Sequence, residues 1–150
     1  MKAAFYRGTR PGLAGHYNRL VRWWEPGPFS HVELIFSDGM AASSSFADGG
    51  VRFKRIEFSP SKWDFIQLPV ALESAARAWF EAHKGEKYDL RGNVRFALDF
   101  MREDSGKWFC SEALAASLGM QEPWRFGPNN LFHVLAWGFE RDTIGITATA

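Results

Sequence analysis

An α+β fold, with a small antiparallel sheet packed against helices, is what this sequence predicts. Five segments ahead of residue 70 are apolar or alternating at strand length, with Asp-Gly and Pro-rich turn signals between them. The later half changes character, becoming alanine-rich with apolar residues at three- and four-residue intervals. At 150 residues the chain reads as one domain over 1–150, large enough to bury a core without metal or disulfide staples.

Lys2 to Arg7 is a short apolar strand, followed by the turn-rich Gly8-Thr-Arg-Pro-Gly12. Leu13, Tyr17, Leu20, Val21 and Trp24 recur at helical spacing until Pro26-Gly-Pro28 stops them; His16 in that stretch reads as a surface histidine. Phe29 to Phe36 alternates, with Val32, Leu34 and Phe36 on one face and His31, Glu33 and Ile35 on the other. Ser37-Asp-Gly39 makes a tight hairpin turn into a strand from Met40 to Phe46 that ends in Ser43, Ser44 and Ser45. After Asp48-Gly-Gly50, Val51 to Phe58 alternates with one slip at Arg55, which predicts a half-buried strand containing a bulge. Arg52, Lys54 and Arg55 there read as charges on a solvent face. Trp63 to Leu68 is the fifth strand, closed by Pro69.

Ala71 to His83 has helical spacing with Gly85 as its stop, and His83 is placed to bond the last carbonyls. A second helical pattern runs through Val94, Phe96, Ala97, Leu98 and Met101, with Asp89 suited to cap it. A third begins near Cys110 and ends at Gly119, and a last one through Leu131, Val134 and Leu135 has Asn129 or Asn130 as its cap. Trp137 to Glu140 reads as an edge strand, and 143 to 150 as a weakly held tail.

Lys plus Arg is 18 against 17 for Asp plus Glu, so charge offers no reason to expect nucleic acid or an anionic membrane as partner. No apolar run approaches a membrane span or a secretory signal, so the expected setting is cytoplasmic, with any release by a route other than a cleaved signal. A single cysteine forms no internal disulfide and leaves its thiol free for chemistry. No glycine-rich nucleotide loop follows a strand, and His31 with Glu33 lacks a third ligand at a supporting interval, so neither cofactor nor metal is expected.

Cys110, in Lys107-Trp-Phe-Cys-Ser-Glu-Ala-Leu-Ala-Ala-Ser-Leu118, sits where an amphipathic helix begins. Unpaired N–H groups and the helix dipole there favour a thiolate, the form that attacks carbonyl carbon. His31 supplies an imidazole on a strand, and Glu33, two residues on and about 7 Å away at the backbone, shares its face. A Cys110–His31–acid relay is the chemistry these pieces point to.

Three motifs carry a resemblance: His-Val-Glu-Leu-Ile at 31–35, Lys-Tyr-Asp at 87–89 and Trp-Phe-Cys-Ser-Glu-Ala-Leu at 108–114. Together they resemble the circularly permuted branch of the NlpC-type papain-like superfamily, the YiiX/YaeF-like group, over roughly Phe29 to Leu135. The order of the motifs, with the His strand before the Cys helix, is the most specific part of the likeness. It implies a papain-like site and a thiol hydrolase (peptidase or amidase) or acyltransferase acting on a cell-wall peptide, a lipid-type substrate or another acyl-bearing molecule. In NlpC-type enzymes the residue that orients the histidine commonly lies on the following strand, which here would be one of Ser43 to Ser45. Glu33 is preferred because a carboxylate stabilises an imidazolium more strongly, with Ser44 as the alternate.

Tyr88 and Asp89 frame the nucleophile helix by the same resemblance, and Tyr6 enters as a substrate-side residue by looser analogy. Trp108, with Trp23, Trp24, Trp124 and Trp137, is suited to line an apolar groove for a peptide or acyl chain. The competing reading is a papain-like module that binds such a chain without catalysis.

Overall fold

The computed structural model describes residues 1–8, 27–88 and 107–140. The expected helix from Leu13 to Trp24, with His16, Trp23 and Trp24, lies outside the described residues, as do Asp89, the helical pattern from Val94 to Met101 and the tail from 143. The described residues form a mixed α+β structure with β1 (Lys2–Tyr6), β2 (His31–Ile35), β3 (Ala41–Ser45), β4 (Gly50–Lys54), β5 (Trp63–Gln67), α1 (Glu73–Ala82), β6 (Lys87–Tyr88), β7 (Lys107–Trp108), α2 (Cys110–Ser117) and α3 (Pro128–Leu135). The strands make one seven-stranded sheet in the order β5-β1-β2-β3-β4-β6-β7. Every pairing is antiparallel except that of β6 with β7.

Alternation sorts the sheet into two faces. Ala3 and Phe5, Val32 and Leu34, Ala42, Val51 and Ile66 all join one apolar core with Ala76 and Phe80 of α1 and Ala113 and Leu114 of α2. Helical spacing brings Ala76 and Phe80, four residues apart, to one side of α1. Phe5, Phe29 and Phe132 pack with centroids 4.5 to 5.4 Å apart and tie α3 to the sheet. The opposite face carries His31 and Glu33, and in register with them Tyr6 and Ala4 of β1.

β3 consists wholly of Ala and Ser, poor strand formers, yet every residue in it is buried. Each serine hydroxyl has a use: Ser43 donates to the Val32 carbonyl at 2.7 Å, Ser44 to the Trp108 carbonyl at 2.6 Å, and Ser45 bonds Asp48. Backbone pairing between β2 and β3 covers only Leu34 with Ala42 and Ile35 with Ala41. Past that point Ser43 substitutes a hydroxyl for a ladder N–H.

Three expectations are corrected. β4 stops at Lys54 and contains no bulge: Ala41, the partner of Lys54, is the first residue of β3, so Arg55 falls past the end of the pairing. Phe58 instead packs edge-on against Trp63, 4.9 Å between centroids. The edge strand expected at Trp137 to Glu140 is a π-helical turn, Ala136–Glu140, that continues α3. That helix is capped by Gly127, with Pro128 in its first turn, where a missing N–H costs nothing. Asn129 serves elsewhere: its side chain accepts from the Phe29 N–H at 2.9 Å and donates to the Phe29 carbonyl at 3.0 Å. Strands β6 and β7 were not foreseen, since two residues show no period.

α2 is buried along almost its whole length, which its alanines permit by letting the sheet and α1 approach. Glu112 reaches back to accept from the Phe109 N–H at 3.3 Å. At the other end Gly119, at φ 74°, lets its own N–H reach the Ala116 carbonyl and that of Met120 the Ala115 carbonyl, closing the helix. No helix among the described residues is long and apolar enough to cross a membrane.

Asn129 is the strap between α3 and the chain entering β2, so Asn129→Ala leaves two backbone groups of Phe29 unpaired. Urea denaturation should show a loss of about 2 kcal/mol or more relative to the wild type.

Candidate active site

His31 is the first residue of β2 and Cys110 the first of α2. β7 ends at Trp108, one residue before α2, so a strand and a single extended residue, Phe109, deliver the sulfur. The Ser44 hydroxyl on the Trp108 carbonyl pins that delivery to β3. α2 packs against both β2 and β3, whose pairing has lapsed at this end.

The structure brings Cys110, His31 and Glu33 together. Cys110 lies close enough to the His31 ring to raise its pKa. His31 Nε2 lies 2.7 Å from Glu33 Oε1. With Nε2 engaged by the carboxylate, Nδ1 is the ring nitrogen left for the sulfur. Cys110 is 3% exposed, His31 9% and Glu33 not at all. Ser44, the alternate orienting residue, points to the Trp108 carbonyl, so the ring's partner is Glu33.

Glu33 is held from its far side by a residue that the pattern of the chain had placed on a solvent face. Arg52 donates from Nη1 to Glu33 Oε2 at 2.7 Å and from Nη2 to Oε1 at 2.5 Å, and its Nε donates to Asp48 Oδ2 at 2.9 Å. Lys54 Nζ donates to Asp48 Oδ1 at 2.9 Å. The signal for Arg52 was its place in the alternation: it is flanked by core-facing Val51 and Phe53, and therefore lies on the face of His31 and Glu33. What the sequence lacked was the hairpin register, Ser43 opposite Arg52, that brings the guanidinium within reach.

Burial acts against each of these charges, and their partners outweigh it. For His31, burial disfavours the imidazolium most strongly, but the charge and hydrogen bond of Cys110 and those of Glu33 raise its pKa to about 9. Burial likewise pushes Glu33 up, and the Arg52 and His31 hydrogen bonds override it and lower the carboxyl to about 2. Arg52 is opposed by burial and is raised by Glu33 and Asp48. Asp48, also opposed by burial, is lowered by Lys54 and Arg52.

The remaining site residues lie around this group. Tyr6 stands opposite His31 on β1 with its ring 4.9 Å from that of Trp63, and Trp63 is 6.4 Å from the His31 ring. Tyr88 is buried on β6 with its ring edge-on to Phe46. The Trp108 indole meets Trp79 and His83 edge-on and donates to Glu86, so it belongs to a packed cluster on α1. His83 bonds the Trp79 carbonyl at 2.7 Å through Nδ1 and stacks on the Trp79 ring, the helix-end role expected of it. Trp124 and Trp137 are both exposed, and His133 packs edge-on to Phe132.

No protein-family model matches the chain, and no curated protein matches it either.

Because the charge on His31 is sustained by the sulfur, Cys110→Ala leaves Glu33 alone to oppose burial. The His31 midpoint, followed by imidazole NMR, should fall below the wild-type value of about 9. In the wild type the His31 contribution to stability is fully present below about pH 6.5 and is lost as pH rises through about 9. Chemical denaturation across that window should show the decline in the wild type and a smaller one in Cys110→Ala. Glu33 has the opposite sense, contributing above about pH 4.5 and losing that contribution as pH falls through about 2.

Proposed function

We propose that the chain is a cysteine hydrolase or acyltransferase with a papain-like fold of the permuted NlpC type, its His strand preceding its Cys helix. The observation that carries the reading is the single contact group Cys110–His31–Glu33, assembled from the start of a strand and the start of a helix far apart in the sequence. The resemblance of the motifs around these residues to the YiiX/YaeF-like group supports it independently.

The chemistry follows from the bonding. Glu33 accepts from Nε2–H, so Nδ1 is the nitrogen that takes the Cys110 proton, and the raised pKa of His31 lets the ring keep it. The thiolate attacks the carbonyl carbon of an amide, ester or thioester, forming the S–C bond while the carbonyl electrons move to oxygen. A helix leaves its first N–H groups without intrahelical partners, and Cys110 stands first in α2, so its N–H is suited to the oxyanion together with a second donor. Collapse of the intermediate breaks the bond to the leaving group, which departs with the proton from His31. Water, or a second nucleophile in a transferase, then gives up a proton to His31, attacks the acyl-thioester and regenerates the thiol. A peptide, a cell-wall fragment or an acyl-bearing lipid all present the required carbonyl.

Iodoacetamide tests the nucleophile and base directly. Cys110 should alkylate at mildly acidic pH, and His31→Ala should slow it by about tenfold or more. Equal rates in the two proteins would defeat the enzyme reading and leave a module that binds without catalysis. Mass spectrometry of Cys110 after incubation with acyl thioesters or with cell-wall peptides should reveal an acyl adduct absent from Cys110→Ala, and the class of donor that forms it names the substrate family.

A further inference from the structure

We propose that Arg52 is a positioning residue for the Cys110–His31 pair: its guanidinium, clamped between Glu33 and Asp48, keeps the Glu33 carboxylate ionised and aimed at His31 Nε2. The inference rests on the nucleophile–base reading of Cys110 and His31 and extends it to the far side of Glu33.

Every donor nitrogen of the guanidinium has a carboxylate. Nη1 and Nη2 span both oxygens of Glu33, and Nε is taken by Asp48. Asp48 is itself fixed by Lys54 and Ser45. Arg52 stands opposite Ser43 on β3 and reaches across that small residue to β2. An ammonium group cannot reproduce the fork, because its donors radiate from one atom. Among the described residues, the charged groups acting on Glu33 are His31 and Arg52, those on Arg52 are Glu33 and Asp48, and those on His31 are Cys110 and Glu33.

The state of Glu33 sets which ring nitrogen of His31 can take the Cys110 proton. An ionised Glu33 only accepts, so it holds one ring proton on Nε2 and leaves Nδ1 to take and keep the proton from the sulfur. A protonated Glu33 would donate to Nε2 and drive the ring proton onto Nδ1, closing the position that must receive the Cys110 proton. Glu33 is wholly buried, and burial is the strongest influence on it and favours the neutral acid. The two Arg52 hydrogen bonds oppose that tendency, so the ability of Nδ1 to take the Cys110 proton depends on a residue two strands away.

The test is the pH profile of Cys110 alkylation by iodoacetamide in the intact chain, compared for wild type, His31→Ala, Arg52→Met, Arg52→Lys and the surface control Arg55→Gln. Carbon-13 NMR of the Glu33 carboxyl accompanies it. In Arg52→Met the carboxyl should titrate above its ordinary range, and the alkylation rate at about pH 5.5 should fall about tenfold or more below wild type while recovering toward it at about pH 8. Arg52→Lys, with charge but no fork, should fall between the two, and Arg55→Gln should follow the wild type. A folded Arg52→Met protein with a wild-type profile and an ionised Glu33 throughout overturns the proposal. Should Arg52→Met fail to fold, Asp48→Asn removes the Nε partner and keeps the guanidinium; it should show the same change in smaller size, and wild-type behaviour in both it and Arg52→Lys overturns the proposal. His31→Ala reacting like the wild type would defeat the nucleophile–base reading, while the Glu33 carboxyl signal still decides the role of Arg52.

Discussion

A carboxylate with no solvent-exposed surface, Glu33, is the constraint that the central strands of the sheet are built to satisfy. An ionised group in such a place must be paired and hydrogen-bonded or it neutralises. Glu33 meets the requirement with His31 on its own strand and Arg52 two strands away. Removing one partner of a buried pair of this kind typically costs about 3–5 kcal/mol, because the other charge is left without compensation. The pairing therefore governs its surroundings: Ala4 beside Glu33 on β1 and Ser43 between it and Arg52 are small, and the β3–β4 turn supplies Asp48 to hold the guanidinium.

The sulfur reaches this charged group from the other layer of the molecule. Cys110 belongs to the apolar core that α2 shares with the sheet, yet it acts on a ring carried by the strand face turned away from that core. The two meet where β2 and β3 cease to pair. Here the Ser43 and Ser44 hydroxyls donate to the Val32 and Trp108 carbonyls. A second tie, Asn129 on both backbone groups of Phe29, holds the approach to His31 from the side of α3. Strand start and helix start are thus each anchored by side chains that mimic backbone partners, which is how short elements can hold a geometry that regular pairing does not impose.

Much of this was legible from patterns of one or a few residues. Strands β1 to β5, helix α1, the start of α2 at Cys110 and its end at Gly119 all follow from alternation, helical spacing and turn chemistry. Glu33 was legible as the partner of His31 because a period of two puts both on one face. Arg52 was misplaced on a solvent face, since alternation reports which side a residue is on and says nothing of what lies two strands across. The serines of β3 hid their part in a different way. A run of Ala and Ser reads as a weak strand, and only its neighbours turn smallness and hydroxyls into an advantage.

The sequence by itself determined the chemistry on offer: one thiol at a helix start, an imidazole and a carboxylate sharing a strand face, and an α+β order of elements with strands first. Those are local properties, written in adjacent residues and short periods. Tertiary structure alone decided which of them meet. Strand order and hairpin register brought Arg52 to Glu33, β7 carried Cys110 to the end of β2, and burial made each pairing obligatory. Such choices depend on distances through space between residues remote in the chain, and no single sequence records those distances.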